Sequence, residues 1–329
     1  MSTRLRVAAV QVESHNGQSA ANLARAEPFV RAAAARGARL VLCPEFLAPG
    51  YIYDESIWRS GEPSGGATES WLARLAAAHA VFIGATYLEA DGDDFYNTFA
   101  LASPRGDIVG RVRKESLPGF EGWYFKSCER PKYIDCELGR IAVGICHDNN
   151  TGAFMRRVAS DRPDLILMPH SAPCMPGSVR ITRECLGEIG TFYARALGVP
   201  TVLVNKVGAP SRSPIPLLPV VKLPFEFPGL SGIVDSDGAI VDRVVRGEGV
   251  AIGDVHLDPA RKRSVAPSAG YWSRPPSRYA RALAVVMQAL DRAGRRAYAR
   301  SSTRVAAARA VARPSAVPQK GTLEKRSDP

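Results

Sequence analysis

Short apolar runs rich in valine, leucine and isoleucine alternate with helical patterns along most of this chain, and this alternation limits the fold more than any other feature. The run RLRVAAVQVE at 4–13 alternates as a strand does. Apolar residues at helical spacing follow over 22–38, where Pro28 predicts an irregular first turn or a helix that begins at the proline. The run ARLVLCPEF at 38–46 is then predicted to be a short buried strand that stops at Pro44.

The same alternation continues to the second half of the chain. Helical patterns occupy 68–80, 151–161 and 182–198, and strand patterns occupy 81–89, 164–172 and 201–208. Pairs of antiparallel strands are predicted at 95–114, at 132–148 with a turn at Glu137–Gly139, and at 231–258. Strands that alternate with helices and mix with hairpins indicate a mixed sheet system covered by helices. The fold class is therefore predicted to be α/β.

The length of the chain and its composition set the expected domains. The 329 residues, of which 46% are hydrophobic, are enough for one large, well-buried core, and no linker-like segment interrupts the pattern before residue 270. We predict a core domain over 1–270 and a helical extension over 271–299. The last segment, 300–329, is rich in arginine and lacks sustained apolar periodicity, which predicts a basic, disordered tail.

Charge, cysteine usage and hydropathy exclude several classes of protein. The net charge of +11 is carried largely by arginines beyond Arg274, without the interleaved aromatic residues that stack on bases, so no nucleic-acid partner is expected. No apolar stretch approaches the roughly 20 residues of a membrane-spanning helix, and the first residues lack the regions of a signal peptide, so we expect no membrane partner and a cytoplasmic location. The six scattered cysteines form no CxxC pair and are expected to be free thiols.

Three residues with reactive side chains follow apolar strand patterns. Glu45 lies in LVLCPEF, Lys114 in GRVRKESLP and Cys146 in VGICHD. Because α/β domains place functional groups at strand ends, we expect these side chains to project from one edge of the core. A carboxylate can accept a thiol proton, an ammonium can stabilise an oxyanion, and a thiolate can form a thioester. The three residues therefore indicate acyl-transfer chemistry.

The residue adjacent to the cysteine, His147, is the obvious alternative base for the thiol. Successive side chains in extended backbone point to opposite faces. Unless the chain turns sharply here, Cys146 and His147 are expected to diverge, and the base is another residue.

These residues and their order resemble the nitrilase superfamily of carbon–nitrogen hydrolases, whose catalytic Glu, Lys and Cys occupy the same three contexts. The resemblance covers 4–258 and includes VAAVQVE, DLILMPHSA, YARALGVPTVLVN and FPGLSGIVDSDG. It implies a four-layer α-β-β-α sandwich of two stacked sheets. It also implies that Cys146 is the nucleophile and Glu45 its base. The oxyanion would then be held by Lys114, helped by the backbone N–H of His147.

The loop KESLPGFEGWYF resembles the aliphatic amidase and formamidase branch, in which a second glutamate is also followed by Gly-Trp-Tyr. The resemblance implies that Glu121 orients the lysine and the substrate nitrogen. A loop carboxylate without a role at the site is the alternative. Trp123 and Tyr124 would line a small substrate pocket.

Three further residues are expected near the substrate. The resemblance implies that His170 and Ser171, which follow the DLILMP strand, face the substrate, although a hydrogen-bonded loop histidine is equally consistent with the sequence. His147 is expected to be a pocket wall or a structural residue. Nitrile-hydrolysing members typically have Cys-Trp-Glu at the nucleophile, and this chain has Cys146-His147-Asp148, which disfavours a nitrilase and also departs from the aliphatic amidases.

Together these features predict a cofactor-free thiol amidohydrolase that cleaves a small amide and releases ammonia. There is no GxSxG, HExxH or P-loop motif, and the five histidines lack metal-ligand spacing, so no metal site is expected. The alternatives are, in order, an N-carbamoyl amino acid or ureido amidohydrolase, a nitrilase, and an inactive sandwich that serves as an interaction scaffold. The resemblance also implies a homo-oligomer.

Overall fold

A computed structural model of the chain describes residues 2–216, 218–266, 269–274 and 278–312. It contains six α-helices within these ranges: α1 Ser19–Ala35, α2 Ala67–His79, α3 Gly152–Asp161, α4 Val179–Leu197, α5 Arg278–Arg300 and α6 Ser302–Ala312. Its strands are β1 Thr3–Gln11, β2 Leu40–Leu42, β3 Phe82–Asp91, β4 Asp94–Ala102, β5 Ile108–Arg113, β6 Tyr133–Cys136, β7 Gly139–Val143, β8 Leu165–Pro169, β9 Thr201–Val204, β10 Val207–Ile215, β11 Leu218–Pro228, β12 Ser231–Val234, β13 Ile240–Val244 and β14 Gly249–Leu257. Short 3-10 helices lie at Glu55–Ser60, Glu121–Trp123, Cys146–Asn150 and Pro259–Arg261.

Two six-stranded mixed sheets organise these elements. The first has the order β14-β1-β2-β3-β4-β5, in which β1, β2 and β3 are parallel. The second has the order β13-β12-β9-β8-β7-β6, in which β7, β8 and β9 are parallel. The remaining strands in both sheets are antiparallel to their neighbours. The predicted α/β class and the hairpin turn between β6 and β7 are confirmed.

The sheets stack face to face because their strands are apolar on both faces. Along β1, Val7 and Ala9 pack into a core shared with the second sheet, whereas Ala8 and Val10 pack into a core that contains residues of α1 and α2. On the other side of the molecule, α3 and α4 pack against the second sheet in a separate core. This alternation gives the layer order α-β-β-α, and the predicted four-layer sandwich is confirmed.

Helix α1 departs from the prediction at its proline. It begins at Ser19 and continues through Pro28, so the prediction of an irregular first turn or of a helix that begins at Pro28 was wrong. Proline removes the hydrogen bond to the residue four positions earlier, which is Ala24. Both Pro28 and Ala24 are exposed, so water can satisfy the freed carbonyl group.

The segment after the core domain also differs from the prediction. Helix α5 begins in the predicted helical extension and ends one residue beyond it, at Arg300. Residues 302–312 form helix α6, so the prediction of a disordered tail was wrong for these residues. Ala308 is fully buried, and Arg304 pairs with Asp94 at 2.7 Å. The rest of the predicted tail, 313–329, lies outside the described residues.

A long hairpin formed by β10 and β11 was not predicted. It follows β9 and places Phe225 and Phe227 against Tyr51. The segment contains several prolines, and polar residues interrupt its apolar pattern, so the sequence did not indicate a hairpin. Within the described ranges, no helix combines the length and apolarity needed to span a lipid bilayer.

Candidate functional site

Strand ends bring Glu45, Lys114 and Cys146 together, as the sequence predicts. Glu45 lies three residues after the end of β2, and Lys114 directly follows β5. Cys146 lies beyond the end of β7 and begins a 3-10 helix. The side chains interact electrostatically with one another. The edge formed by these strand ends is the candidate active site.

Lys114 sits between two carboxylates in the interior. Its Nζ lies 2.8 Å from Oε1 of Glu45 and 2.9 Å from Oε1 of Glu121. All three side chains are almost completely inaccessible to solvent. Burial lowers the pKa of Lys114, but Glu121 and Glu45 outweigh it and hold that pKa well above its ordinary value. Lys114 is therefore a fixed ammonium at neutral pH.

Glu45 is held in one orientation by hydrogen bonds to both of its oxygens. The side-chain amide of Asn97 donates to Oε1 at 2.8 Å, and the backbone N–H of Ser171 donates to Oε2 at 2.9 Å. The same Ser171 N–H also interacts with the sulfur of Cys146, where it lowers the pKa of the thiol. The sulfur and the second oxygen of Glu45 therefore face a common donor, which suits proton transfer between them.

Cys146 is partly exposed toward a cavity, and its backbone is left-handed, with φ of 49°. Phe46, next to Glu45, has a similar φ of 50°. Burial raises the pKa of Cys146 well above its ordinary value, and Glu45 and Glu121 raise it further, against the opposing effect of Lys114. The resting group is therefore a neutral thiol, which requires a base at the moment of attack.

The extended backbone predicted between Cys146 and His147 was wrong, because the chain turns sharply there into the 3-10 helix. His147 nevertheless has another partner: its Nε2 is hydrogen-bonded to the hydroxyl of Tyr271 at 2.9 Å. Burial, with a smaller effect of Lys114, lowers the pKa of His147 to about 3. Such an imidazole is a weak base, which leaves the carboxylate of Glu45 as the better acceptor of the thiol proton.

Glu121 enters the site from the 3-10 helix Glu121–Trp123, and it is not a loop carboxylate on the surface. The hydroxyl of Tyr53 lies 3.1 Å from its Oε1 and 2.5 Å from the hydroxyl of Tyr51. Burial raises the pKa of Glu121 to about 7, with a contribution from Glu45, while Lys114 and Tyr53 oppose this shift. Glu121 therefore changes its charge near neutral pH.

A cavity of about 390 Å³ opens above these groups. Its apolar walls come from different parts of the chain: Tyr51, Tyr53, Phe120, Leu186, Ile189, Phe225 and Met287. Its polar lining includes Glu121, Cys146, His147, Asn150, His170 and Thr182. Among the described residues that line it there is no lysine or arginine. The cavity is within the size range of small-molecule sites, about 300–1,000 Å³.

The two residues after β8 contribute in different ways. His170 lines the cavity, as predicted, and its Nε2 accepts a hydrogen bond from the amide of Asn149 at 3.0 Å. Burial lowers the pKa of His170 to about 3, so this imidazole is neutral. Ser171 is fully buried beside Glu45 and does not line the cavity, so the expectation that it faces the substrate was wrong.

Trp123 and Tyr124 do not line the cavity beside Cys146, and that prediction was wrong. The 3-10 turn points Glu121 inward and turns Trp123 toward α5, where the indole packs against Gly294. Tyr124 stacks behind Tyr53 with ring centroids 6.4 Å apart. The aromatic walls are instead supplied by residues farther away in the sequence.

Several residues of the site were missed by the sequence analysis, among them Tyr51, Tyr53, Asn97 and Met287. Tyr51 and Tyr53 stand in GYIY, six and eight residues after Glu45, where two tyrosines close to a candidate catalytic residue were the available signal. Asn97 is a polar residue inside the apolar strand β4, which also marks a buried partner. Met287 had no signal in the sequence, because only the packing of α5 brings it to the cavity.

No group of three or more histidine, cysteine, aspartate or glutamate side chains suited to holding a metal ion occurs in the described part of the chain.

The fold is a four-layer α-β-β-α sandwich, and the sequence assigns the chain to a family. The chain belongs to the carbon-nitrogen hydrolase family, which it matches over residues 6–263. This assignment confirms the predicted membership of the nitrilase superfamily.

Proteins that are similar to this chain carry different names. The chain is 29% identical to a nitrilase of Pyrococcus abyssi over 182 residues, which cover 52% of this chain and 69% of the relative. It is 30% identical to a citrullinase of Francisella tularensis over 176 residues, which cover 50% of this chain and 60% of the relative.

Solved structures share the fold. A mutant of the amidase from Nesterenkonia sp. superposes with a TM-score of 0.64 at 19% identity, over 76% of this chain and 90% of that chain. That amidase carries a covalent acetamide adduct, derived from fluoroacetamide, at its active-site cysteine.

Proposed function

We propose that this protein is a cofactor-free thiol amidohydrolase that cleaves the C–N bond of a small amide and releases ammonia. The observation that carries the proposal is the buried set of Glu45, Lys114 and Glu121 beside the thiol of Cys146. Burying three charged groups has a large desolvation cost. A functional role explains this cost more readily than a contribution to stability does. An inactive scaffold would have no need for this arrangement.

Acylation begins at Cys146. Glu45 accepts the thiol proton while the sulfur attacks the carbonyl carbon of the amide, and the carbonyl oxygen becomes an oxyanion. Lys114 and the backbone N–H of His147 stabilise that oxyanion. Glu45 then returns the proton to the nitrogen, which leaves as ammonia and breaks the C–N bond. A thioester on Cys146 remains.

Deacylation uses the same groups. Glu45 accepts a proton from a water molecule, whose oxygen attacks the thioester carbon. The C–S bond breaks, the thiol regains its proton, and the carboxylic acid leaves. Glu121, which contacts Lys114, positions the lysine and the leaving nitrogen. The sum of both steps is amide plus water giving acid plus ammonia.

The cavity favours an uncharged substrate. An N-carbamoyl amino acid carries a carboxylate, which proteins usually bind through arginine or lysine. The described residues that line the cavity include neither, and both histidines in it are neutral. An apolar amide therefore fits the cavity better than a carbamoyl amino acid.

Two alternatives are kept as outcomes of the test. Similarity to a citrullinase supports hydrolysis of a ureido or carbamoyl compound. Similarity to a nitrilase supports nitrile hydrolysis, although the motif Cys146-His147-Asp148 differs from the Cys-Trp-Glu typical of that branch. The loop around Glu121 continues to favour the aliphatic amidase and formamidase branch. The cytoplasmic location and the homo-oligomeric state also stay predictions.

Ammonia release decides among these substrates. Matched panels of short aliphatic amides, the corresponding nitriles and N-carbamoyl amino acids are compared by kcat/KM. Cys146→Ala should remove the activity, and Cys185→Ala is the matched control, because Cys185 lines the same cavity. A preference for carbamoyl compounds or nitriles would replace the amide assignment, and turnover by Cys146→Ala would reject the thiol mechanism.

A further inference from the structure

Helix α5 lies outside the segment that matches the family, 6–263, yet it packs on the turn that carries Glu121. A Cβ atom at Gly294 would lie 2.6 Å from Cε3 of Trp123 and 2.7 Å from the carbonyl carbon of Gly122. No methyl group fits at this contact. The helix and the turn are therefore in direct contact at a point where only glycine allows it.

A second anchor fixes the end of the same helix. The hydroxyl of Tyr298 accepts a hydrogen bond from the backbone N–H of Phe95 at 2.8 Å, and the tyrosine is buried. Gly294 and Tyr298 are four residues apart and share one face of α5. This face is attached to the core, whereas Val285 near the start of the helix is 69% exposed.

Met287 extends the attached face toward the substrate cavity. It precedes Gly294 by seven residues, two helical turns, so both lie on the same side of α5. Its side chain lines the cavity that contains Cys146, and its sulfur accepts a hydrogen bond from the backbone N–H of Gly119 at 3.3 Å. Methionine is flexible and apolar, which suits it to pack against an aliphatic or aromatic group.

From these contacts we infer that α5 is part of the substrate site and that Met287 limits the length of the acyl group that the cavity accepts. This inference rests on the proposed amidohydrolase function. The carbonyl group of the substrate lies at Cys146, and its uncharged, apolar acyl group extends along the aromatic walls to Met287. The substrate class is thus a primary amide with an apolar acyl chain.

The first test compares chain-length preference. Met287→Ala removes three heavy atoms from the wall, and Met287→Trp enlarges the side chain. The measured quantity is the ratio of kcat/KM for hexanamide to that for acetamide. Since pockets discriminate by about tenfold or more per missing methylene-sized contact, we expect the ratio to rise at least about tenfold in Met287→Ala and to fall by a similar factor in Met287→Trp. Val285→Ala is the control on the exposed face and should leave the ratio unchanged.

The second test needs no amide turnover. Cys146 is alkylated with iodoacetamide or with its N-hexyl derivative, and the rates are followed by mass spectrometry of the labelled peptide. Met287→Trp should slow the N-hexyl reagent at least about tenfold relative to iodoacetamide, and Met287→Ala should accelerate it. If Met287→Trp does not fold, Met287→Ala decides.

The outcomes separate the two proposals. Failure of the wild-type protein to release ammonia from any amide rejects the proposed function, and the alkylation ratio then decides the role of Met287 alone. Unchanged ratios in folded Met287 variants overturn the inference, even if the amidase activity is present. Ratios that shift as strongly in Val285→Ala also overturn it, because the effect would then not come from the cavity wall.

Discussion

Replacing Lys114 with methionine should separate the structural role of this lysine from its catalytic role. The substitution keeps an unbranched side chain of similar length but removes the cation between Glu45 and Glu121. Both carboxylates are buried and within 2.9 Å of the ammonium. Removing one partner from a buried ion pair typically destabilises a protein by about 3–5 kcal/mol. We expect a loss of free energy of unfolding in this range at pH 8.5.

The pH dependence of that loss follows from Glu121. In the wild-type protein the pKa of Glu121 is raised to about 7, so this carboxyl group is ionised above pH 7 beside the lysine. In Lys114→Met one carboxyl group keeps its proton to a higher pH. When a carboxyl group has a raised pKa in the folded state, the free energy of unfolding of the protein falls as the pH rises. The fall is about 1.4 kcal/mol per pH unit for one extra proton bound by the folded state. Between pH 7 and pH 8.5 the deficit of the variant should therefore grow by about 2 kcal/mol.

Urea unfolding at several pH values measures this deficit, and ammonia release measures catalysis. Lys114→Met should lower kcat by about 10²–10³-fold, as loss of an oxyanion donor does elsewhere. The double variant Lys114→Met, Glu121→Gln removes one buried charge and should recover the stability lost above pH 7 without recovering turnover. A deficit that is equal at pH 7 and pH 8.5 would refute the buried ion-pair argument. Restored turnover in the double variant would show that Lys114 does not hold the oxyanion.

Other substitutions test the remaining roles. Cys146→Ala should lower ammonia release at least about a thousandfold, and retained turnover contradicts a thioester route. Glu45→Gln should reduce kcat/KM far more than His147→Asn in the same assay, since the imidazole is a weak base; equal losses would favour a Cys/His pair. In the wild-type protein kcat/KM should fall as the pH drops through about 7, where Glu121 takes up a proton, and Glu121→Gln should remove this dependence; a dependence that persists belongs to another group. Truncation before Ser302–Ala312 should lower the thermal midpoint by about 2–8 °C in calorimetry, because α6 buries an alanine and an arginine; an unchanged midpoint means that α6 adds no stability.

The convergence of Glu45, Lys114 and Cys146 could be predicted because each residue is tied to a local pattern. Glu45, Lys114 and Cys146 follow short apolar strands, and the ends of such strands converge when sheets form. The identity of the base needed more than the pattern. The hydrogen bond of His147 to Tyr271 and the lowered pKa of His147 disfavour it as the base, and neither property is visible in the sequence.

The substrate walls could not be predicted because they depend on rotation within a turn and on distant packing. One 3-10 turn separates Glu121, which points to the lysine, from Trp123, which points to α5. Met287 reaches the cavity from a helix at the far end of the sequence. Helix α6 was overlooked because its buried face, at 304, 307, 308 and 311, has helical spacing but includes an arginine.

The left-handed backbone of Cys146 has a consequence for laboratory evolution of this protein. A residue with a side chain held at φ of 49° carries strain of about 1–3 kcal/mol, and glycine does not. A selection for heat resistance alone would therefore favour Cys146→Gly, whereas any selection for product formation would eliminate that variant. Libraries screened only for thermal tolerance are thus expected to accumulate well-folded but inactive clones at this position.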